Sequence, residues 1–213
     1  EDRDRKMIEV LLDANQFDLA KCLIYSYKTS TNIEAAKLLT VFIRDSAPLT
    51  QVVIHRDRDF MNQAEVDHVS ESIKSCGAIP FVTNGCDIET YFLKPEHLSA
   101  CINVDALDVI AWLNVLASDA HTELQHSFTR KRDEVKSSLY RSNPKDCPDT
   151  LKLPGNAIPL PTELRHGKKM LKRVRAGLKG KFGIVPEIII ATSALICPRL
   201  SEIAKMKVKA PLR

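Results

Sequence analysis

Two aspartates follow the most apolar predicted strand of the chain. Asp57 and Asp59 close the sequence QVVIHRDRD, residues 51–59. Strand alternation predicts that both carboxylates lie on one face of the sheet while Arg58 points to the other. No basic side chain is predicted on their side, so the two carboxylates repel each other unless a divalent cation lies between them. Carboxylate oxygens are hard ligands that suit Mg²⁺ or Mn²⁺. Because Asp-x-Asp also occurs in solvated turns, the pair alone leaves both interpretations open.

Four further acids are candidates for the same place. Asp87 and Glu89 follow the next predicted strand, and Glu1 and Asp4 lie at the start of the first predicted helix. Ligands bind at the carboxyl edge of an open parallel sheet, so acids after neighbouring strands should converge there. Five or six carboxylates can hold two metal ions, the arrangement that hydrolyses phosphodiesters. Helix capping explains Asp4 equally well, and Glu1 also fits a plain terminal residue.

A strongly basic segment comes late in the chain. Residues 165–181 hold eight Lys or Arg and no acid. Helical spacing places apolar residues on one face and a basic stripe beside it. The apolar face consists of Leu164, Leu171, Val174 and Leu178, and the basic residues are Lys168, Lys172, Arg175 and Lys179, with Lys169 next to them. A solvated helix normally mixes charge signs, so the single sign favours contact with a nucleic-acid backbone over a merely solvated face.

The first half of the chain predicts an α/β scaffold for the acids. Helical patterns over residues 4–15, 31–43 and 63–75 alternate with predicted strands over residues 21–27, 51–59 and 78–83. Such alternation indicates a parallel sheet with crossover helices.

Beyond Gly85 the pattern becomes helical. Residues 86–93 predict a turn into a short helix, and residues 96–142 are predicted to be wholly helical, with Trp112 in the apolar face. Residues 143–161 contain five prolines and predict a connector. A basic helix is predicted from Thr162, whereas the apolar residues 184–200 fit a strand and a helix equally.

The composition limits the class of protein. The chain has 213 residues, 44% of them apolar, enough for one substantial core and too apolar for a disordered tail. The net charge of +4 does not by itself indicate a polyanionic partner. No apolar run approaches the roughly 20 residues that cross a bilayer, so we expect a cytoplasmic protein without a membrane partner. The six cysteines form no CxxC pair, which favours reduced thiols, and the start at Glu1 suggests a fragment.

The acidic motifs resemble those of the Toprim fold. A glutamate at the first helix, a DxD after an apolar strand and the segment DIETYFL look like the fold shared by topoisomerases, primases and the overcoming-lysogenisation-defect (OLD) nucleases. The nuclease branch fits best, because DIETYFL is similar to the IE-N-Y-L segment that follows the DxD there. The resemblance covers about residues 1–95. It departs from the family's E-G-x-x-D opening, where this chain has Asp2 and Arg5.

The resemblance implies a role for each matching acid. The residues implied to bind two Mg²⁺ or Mn²⁺ ions are Glu1, Asp4, Asp57, Asp59, Asp87 and Glu89. The DxD pair would hold the main ion. Glu89, with Asp87 beside it, would hold the second ion. Glu1 would bind metal or act as a general base, and Asp4 is the nearest substitute for the aspartate of the family's opening motif.

The resemblance also implies a catalytic lysine and partners. A lysine late in the Toprim region of OLD nucleases reaches the active site, and Lys168 is the best match here, with Lys169 next. Such a lysine stabilises phosphate charge or the leaving oxygen. OLD nucleases carry an ABC-type ATPase domain ahead of the Toprim domain, assemble through it, and in many cases act in bacterial defence against phage. The implied partners are therefore DNA or RNA, an upstream ATPase domain and further copies of the full-length protein; this chain contains no Walker motif.

These features predict a Toprim-like α/β fold in four parts. The predicted parts are a Toprim catalytic core over residues 1–95, a helical insertion over 96–142, a proline-rich connector over 143–161 and a basic segment over 162–213 that completes the nuclease domain. The predicted function is metal-dependent endonuclease cleavage of DNA. One alternative is a non-catalytic regulatory module that binds a cation and nucleic acid. Another is a glycosyltransferase whose DxD holds Mn²⁺ and a sugar nucleotide, although such a substrate needs less basic surface.

Overall fold

The central feature of the fold is one parallel βαβ unit. The computed structural model describes residues 2–27, 33–149 and 158–206, without the side chains of residues 2–4. Over these ranges the chain is mixed α/β and mostly helical. Strand β1 (Val53–Arg56) pairs in parallel with β2 (Ile79–Val82), with Val53 opposite Ile79 and Arg56 opposite Val82. Helix α3 (Gln63–Lys74) connects the two strands, as a parallel pair requires.

Helices make up most of the remaining described chain. The described ranges contain eight α-helices: α1 (Asp2–Ala14), α2 (Ile33–Ser46), α3 (Gln63–Lys74), α4 (Pro95–Ile102), α5 (Ala106–Asp119), α6 (His121–Leu139), α7 (Gly167–Phe182) and α8 (Pro198–Lys205). Short 3₁₀ helices cover Leu19–Lys21, Ile88–Leu93, Pro144–Asp146, Thr162–Leu164 and Pro186–Ile189. A capping box between Asn62 and Glu65 starts α3, and Gly183, with a left-handed φ of 68°, ends α7.

The predicted strand over residues 21–27 is wrong. Lys21 ends a 3₁₀ helix, and residues 22–27 join no sheet in the described part of the chain. Leu23 is 82% exposed and Tyr25 is 73% exposed, so these apolar side chains, which favoured a strand, do not pack into the protein interior. The Tyr27 hydroxyl ties the segment to β1 by donating to the carbonyl oxygen of His55 at 2.6 Å. The described sheet therefore has two strands where three are predicted.

The strand before the aspartates is shorter than predicted. β1 ends at Arg56, which places Asp57 and Asp59 in the following loop. The φ of Asp59 is 49°, a left-handed conformation that strands do not contain. Strand alternation therefore does not determine the direction of the Asp59 side chain, and the common face of the two carboxylates stays a prediction without that support.

The segment over residues 96–142, predicted to be helical, consists mainly of α4, α5 and α6. Asn103, with φ of 54°, ends α4, and Ala120 separates α5 from α6. No single helix of the described ranges is both long and apolar enough to cross a membrane; α4 and α5 pass that test of length and composition only as a pair bent by 113°. Over residues 184–200 neither alternative holds throughout, because a 3₁₀ turn at Pro186–Ile189 is followed by α8, which begins at Pro198.

One apolar cluster connects the ends of the described chain. Its buried members include Leu11 of α1, Val109 of α5, Val174 of α7 and Leu200 of α8. Trp112 belongs to the same cluster, which confirms its predicted place in the core. The cluster crosses the predicted boundaries at residues 95 and 162, so these segments share apolar burial. The division of the chain into functional parts stays a prediction.

Candidate functional site

The loops that follow β1 and β2 are bonded to each other and carry four of the predicted acids. Asp57 accepts a hydrogen bond from the backbone N–H of Ile88 at 3.2 Å. The backbone N–H of Asp59 donates to the carbonyl oxygen of Cys86 at 2.8 Å. These bonds bring the DxD beside the segment that carries Asp87 and Glu89. Glu1 lies outside the described residues, as does the side chain of Asp4, so neither is placed relative to this site.

Asp87 is the most buried acid of this group, at 4% exposure. Burial raises its pKa well above the ordinary aspartate range, and the negative charges of Glu89 and Asp57 raise it further. Its Oδ2 accepts a hydrogen bond from the backbone N–H of Lys168 at 2.9 Å. Its Oδ1 has no hydrogen-bond partner among the described residues. A buried carboxylate oxygen in that state favours a proton or a bound cation.

The start of α7 lies against this acidic loop. Lys168 Nζ is 4.0 Å from Glu89 Oε1, and His166 Nε2 is 3.3 Å from Asp87 Oδ2. Negative charge is also favoured at a helix N-terminus. The structure therefore brings Lys168, the predicted catalytic lysine, to the acids that follow β2.

Gly167 permits this close approach of α7. A Cβ atom at Gly167 would lie 2.0 Å from Asp87 Oδ1 and 2.8 Å from the backbone nitrogen of Thr90. Since one neighbour is backbone, a side chain could be admitted only by moving α7 or the loop. Gly167 is thus required by packing at the junction that positions Lys168.

We expect Gly167→Ala to lower the free energy of unfolding by about 1–3 kcal/mol, because the added methyl group overpacks this junction. Gly180→Ala on the same helix is the matched control, since no described atom outside the adjacent helical backbone lies within 4 Å of its Cβ position. That control should be stabilising by up to about 1 kcal/mol through helix propensity. Urea unfolding of both variants measures the difference. Equal stability of Gly167→Ala and the unmodified chain would contradict the described packing.

A lysine that no sequence motif indicated offsets the negative charge of Asp59 in the DxD pair. Lys131, on α6, places its Nζ 3.0 Å from Asp59 Oδ1 and 3.1 Å from Glu134 Oε2. Burial acts to lower the pKa of Lys131, but these two carboxylates raise it above the ordinary value. The expectation that no base lies beside the DxD is therefore wrong. Burial still raises the pKa of Asp59 in spite of Lys131.

Two histidines also contact the acids. His55 Nε2 is 3.4 Å from Asp57 Oδ1. His166 is buried, and its Nδ1 forms a hydrogen bond with the hydroxyl of Ser127. Burial, together with the nearby positive charges of Lys131 and Lys169, lowers the pKa of His166 to about 4, so its imidazole is neutral at pH 7. No local pattern in the sequence singles out His166.

The predicted amphipathic character of the basic helix is confirmed over α7. Leu171, Val174 and Leu178 are buried, whereas Lys172 and Lys179 are exposed. Arg175 is partly buried and lies 3.6 Å from Glu187 Oε1. The exposed lysines of this helix remain available to a polyanion.

The other side of α7 is neutralised by α6. Glu123 forms ion pairs with Lys169 at 3.0 Å and with Arg173 at 2.7 Å, and these contacts lower the pKa of Glu123. The helix is therefore less uniformly positive than its sequence suggests. Lys169, the second candidate for the catalytic lysine, is engaged by Glu123, whereas Lys168 is beside Glu89.

Comparison of the chain with protein-family models, with curated proteins and with solved structures gave no significant match. The resemblance of its motifs to the Toprim fold and to OLD nucleases therefore stays a prediction. What the described residues do provide is the geometry of the acids, histidines and lysines around the carboxyl ends of β1 and β2.

Proposed function

We propose that this chain is the Toprim nuclease part of an OLD-type protein and that it hydrolyses DNA phosphodiesters with two Mg²⁺ or Mn²⁺ ions. The observation that carries the proposal is the meeting of two acidic loops with Lys168, a residue far away in sequence. An upstream ABC-type ATPase domain, assembly into a homo-oligomer, a cytoplasmic location and a role in defence against phage are proposed on the motif resemblance alone. RNA remains an alternative substrate.

The donor atoms suit hard divalent cations. Asp57, Asp59, Asp87 and Glu89 offer carboxylate oxygens, the ligands that Mg²⁺ and Mn²⁺ prefer. Oδ1 of Asp87 lacks a partner in the described chain, and the side chain of Asp57 is 39% exposed, so both have capacity to bind an ion. Two bound ions would supply a nucleophilic water and neutralise charge on the reacting phosphate. Glu1 and Asp4 stay in the proposed ligand set.

The chain's own residues would position the substrate and the acids. The backbone N–H of Ile88 and the ammonium of Lys131 hold the carboxylates of Asp57 and Asp59, respectively. The Lys168 side chain is 66% exposed, so its ammonium can turn from Glu89 to a phosphate oxygen and stabilise developing charge. The exposed Lys172 and Lys179 would contact the backbone of the bound strand.

The ion pairs of the site favour a second candidate function. Lys131 and Lys168 already offset part of the negative charge of Asp59 and Glu89. Because these ammonium groups balance part of the acidic charge, fewer metal ions are needed. Such a site suits a non-catalytic module that binds one metal ion and nucleic acid. The two candidates differ in whether phosphodiester bonds are cut.

Incubation of the purified chain with supercoiled plasmid tests the proposed function. We expect nicking with Mn²⁺ or Mg²⁺ and none with EDTA. Calorimetric binding of Mg²⁺ without cleavage of any DNA or RNA tested would instead support the non-catalytic module. Absence of both metal binding and cleavage would contradict both candidates.

The exposed lysines of α7 should determine how salt affects DNA binding. We expect Lys172→Ala and Lys179→Ala to weaken duplex binding, each lowering the slope of log affinity against log salt by about 1, because each removes one phosphate contact. Arg173→Ala is the matched control, since Glu123 already engages its guanidinium. Fluorescence anisotropy with EDTA present, over a series of salt concentrations, measures the slope. An unchanged slope in the double variant would exclude this face of α7 as the DNA contact.

A further inference from the structure

Beside the acidic loops, three different metal-binding side chains meet in the protein interior. The ligand atoms of Cys86, Asp87 and His166 all lie within 4.8 Å of one another. Cys86 is 1% exposed and His166 is 6% exposed, so water has little access to the group. Neither Cys86 nor His166 belongs to the ligand set that the sequence predicts.

Backbone contacts hold this group together. Cys86 and Asp87 are consecutive, and the Cys86 carbonyl oxygen accepts the N–H of Asp59. His166 directly precedes α7, whose Lys168 N–H is bonded to Asp87. Phe60 and Phe128 pack around Cys86 in a small apolar cluster. The ligand atoms thus occupy a site that is formed by packing and does not depend on flexible surface side chains.

Two polar atoms at the centre of the group favour a bound cation. Oδ1 of Asp87 is buried and has no hydrogen-bond partner among the described residues. Nδ1 of His166 forms a hydrogen bond with Ser127, which leaves Nε2 directed at Asp87 Oδ2, 3.3 Å away. A neutral imidazole has one N–H, and if that proton is on Nδ1, the lone pair of Nε2 faces a carboxylate oxygen. A hydrogen bond from the non-coordinating nitrogen is the usual arrangement of a metal-binding histidine.

We propose that Cys86, Asp87 and His166 form a binding site for a thiophilic divalent cation of the Zn²⁺ class. Thiolate, imidazole and carboxylate are the zinc donor set, whereas Mg²⁺ and Mn²⁺ prefer oxygen ligands alone. Binding replaces the thiol proton of Cys86, and any proton on Asp87, with the metal and releases these protons to solvent. The site shares Asp87 with the proposed nuclease centre but requires no cleavage activity.

Titration of the full chain with Co²⁺, in the absence of DNA, tests the site. We expect a thiolate-to-cobalt charge-transfer band that saturates near one equivalent and disappears when Zn²⁺ is added. Cys86→Ser should remove the charge-transfer band, and Ser127→Ala should weaken Co²⁺ binding by about 10–100-fold through loss of the bond to His166. Cys101→Ser is the matched control, because Cys101 Sγ lies 3.7 Å from His97 Nε2 and belongs to no such three-ligand group among the described residues.

A chain without the cobalt band, or a Cys86→Ser variant that keeps it, would overturn the proposal. If Cys86→Ser fails to fold, as circular dichroism would reveal, Cys86→Ala gives the same readout, and His166→Gln should weaken Co²⁺ binding. The two proposals fail separately. Plasmid nicking without a cobalt band contradicts only the proposed site for a thiophilic cation. A cobalt band without nicking contradicts only the proposed nuclease function.

Discussion

Asp57→Asn and Asp59→Asn are each expected to lower plasmid nicking by at least about 100-fold, the scale on which loss of one preorganised electrostatic contact acts. The amide keeps the size of the side chain and removes its negative charge, so metal binding is lost with little change in packing. An amide oxygen at Asp57 can still accept the hydrogen bond from Ile88. The initial rate of nicking with Mn²⁺ measures the effect.

The matched control for these variants is Asp67→Asn. Asp67 is exposed on α3, and its carboxylate accepts a hydrogen bond only from the nearby Gln63 among the bonds described. Its nicking rate should equal that of the unmodified chain. Undiminished cutting by either Asp57→Asn or Asp59→Asn would reject the assignment of the DxD as metal ligands. Circular dichroism of each variant separates loss of activity from loss of fold.

The largest expected effect on stability comes from the buried ion pair between α3 and α6. Glu65 accepts two hydrogen bonds from Arg132, at 2.7 and 2.9 Å, and both side chains are almost fully buried. Glu65→Gln is expected to lower the free energy of unfolding by about 3–5 kcal/mol, because it leaves the guanidinium buried without an opposite charge. Urea unfolding measures the loss.

A double-mutant cycle tests whether the pair itself is responsible. Arg132→Met combined with Glu65→Gln should destabilise by less than the two single changes added together, since no unpaired charge remains. Arg130→Met on the same helix is the control, because the Arg130–Glu134 pair is exposed and 3.9 Å long. Its effect should not exceed about 1 kcal/mol. A Glu65→Gln variant as stable as this control would contradict the structural role of the pair.

The stability contributed by the Glu65–Arg132 ion pair should also depend on pH. Burial opposes the charge of Glu65, but the hydrogen bonds from Arg132, the Asn62 backbone and Tyr140 outweigh it and lower its pKa. The stabilisation is therefore present where glutamate is ionised in the unfolded chain and is lost as the pH falls through the lowered pKa. Arg132 additionally donates to the carbonyl oxygen of Phe60 at 3.1 Å, next to Asp59. The ion pair thus fixes the loop that carries one of the proposed metal ligands.

Local patterns were sufficient to place four of the acids and the apolar face of α7. Asp57 with Asp59, and Asp87 with Glu89, follow β1 and β2 as predicted, because a short apolar run between polar loops is recognisable without knowledge of its partners. The buried face of α7 was predictable for the same reason, since helical periodicity is encoded within the segment. The strand predicted over residues 21–27 failed because β-branched and aromatic composition favours a strand only where a neighbouring strand accepts its hydrogen bonds.

The sequence by itself determined which carboxylates follow the two strands and which face of α7 is apolar, since both depend on neighbours a few residues away. The tertiary structure alone decided that Lys131 neutralises Asp59, that Gly167 admits α7 to the acidic loop, and that His166 meets Cys86 and Asp87. These contacts join residues far apart in the chain, and they depend on how α6 and α7 pack against the loops after β1 and β2. Periodicity within a segment carries no information about such packing, which is why no motif predicted them.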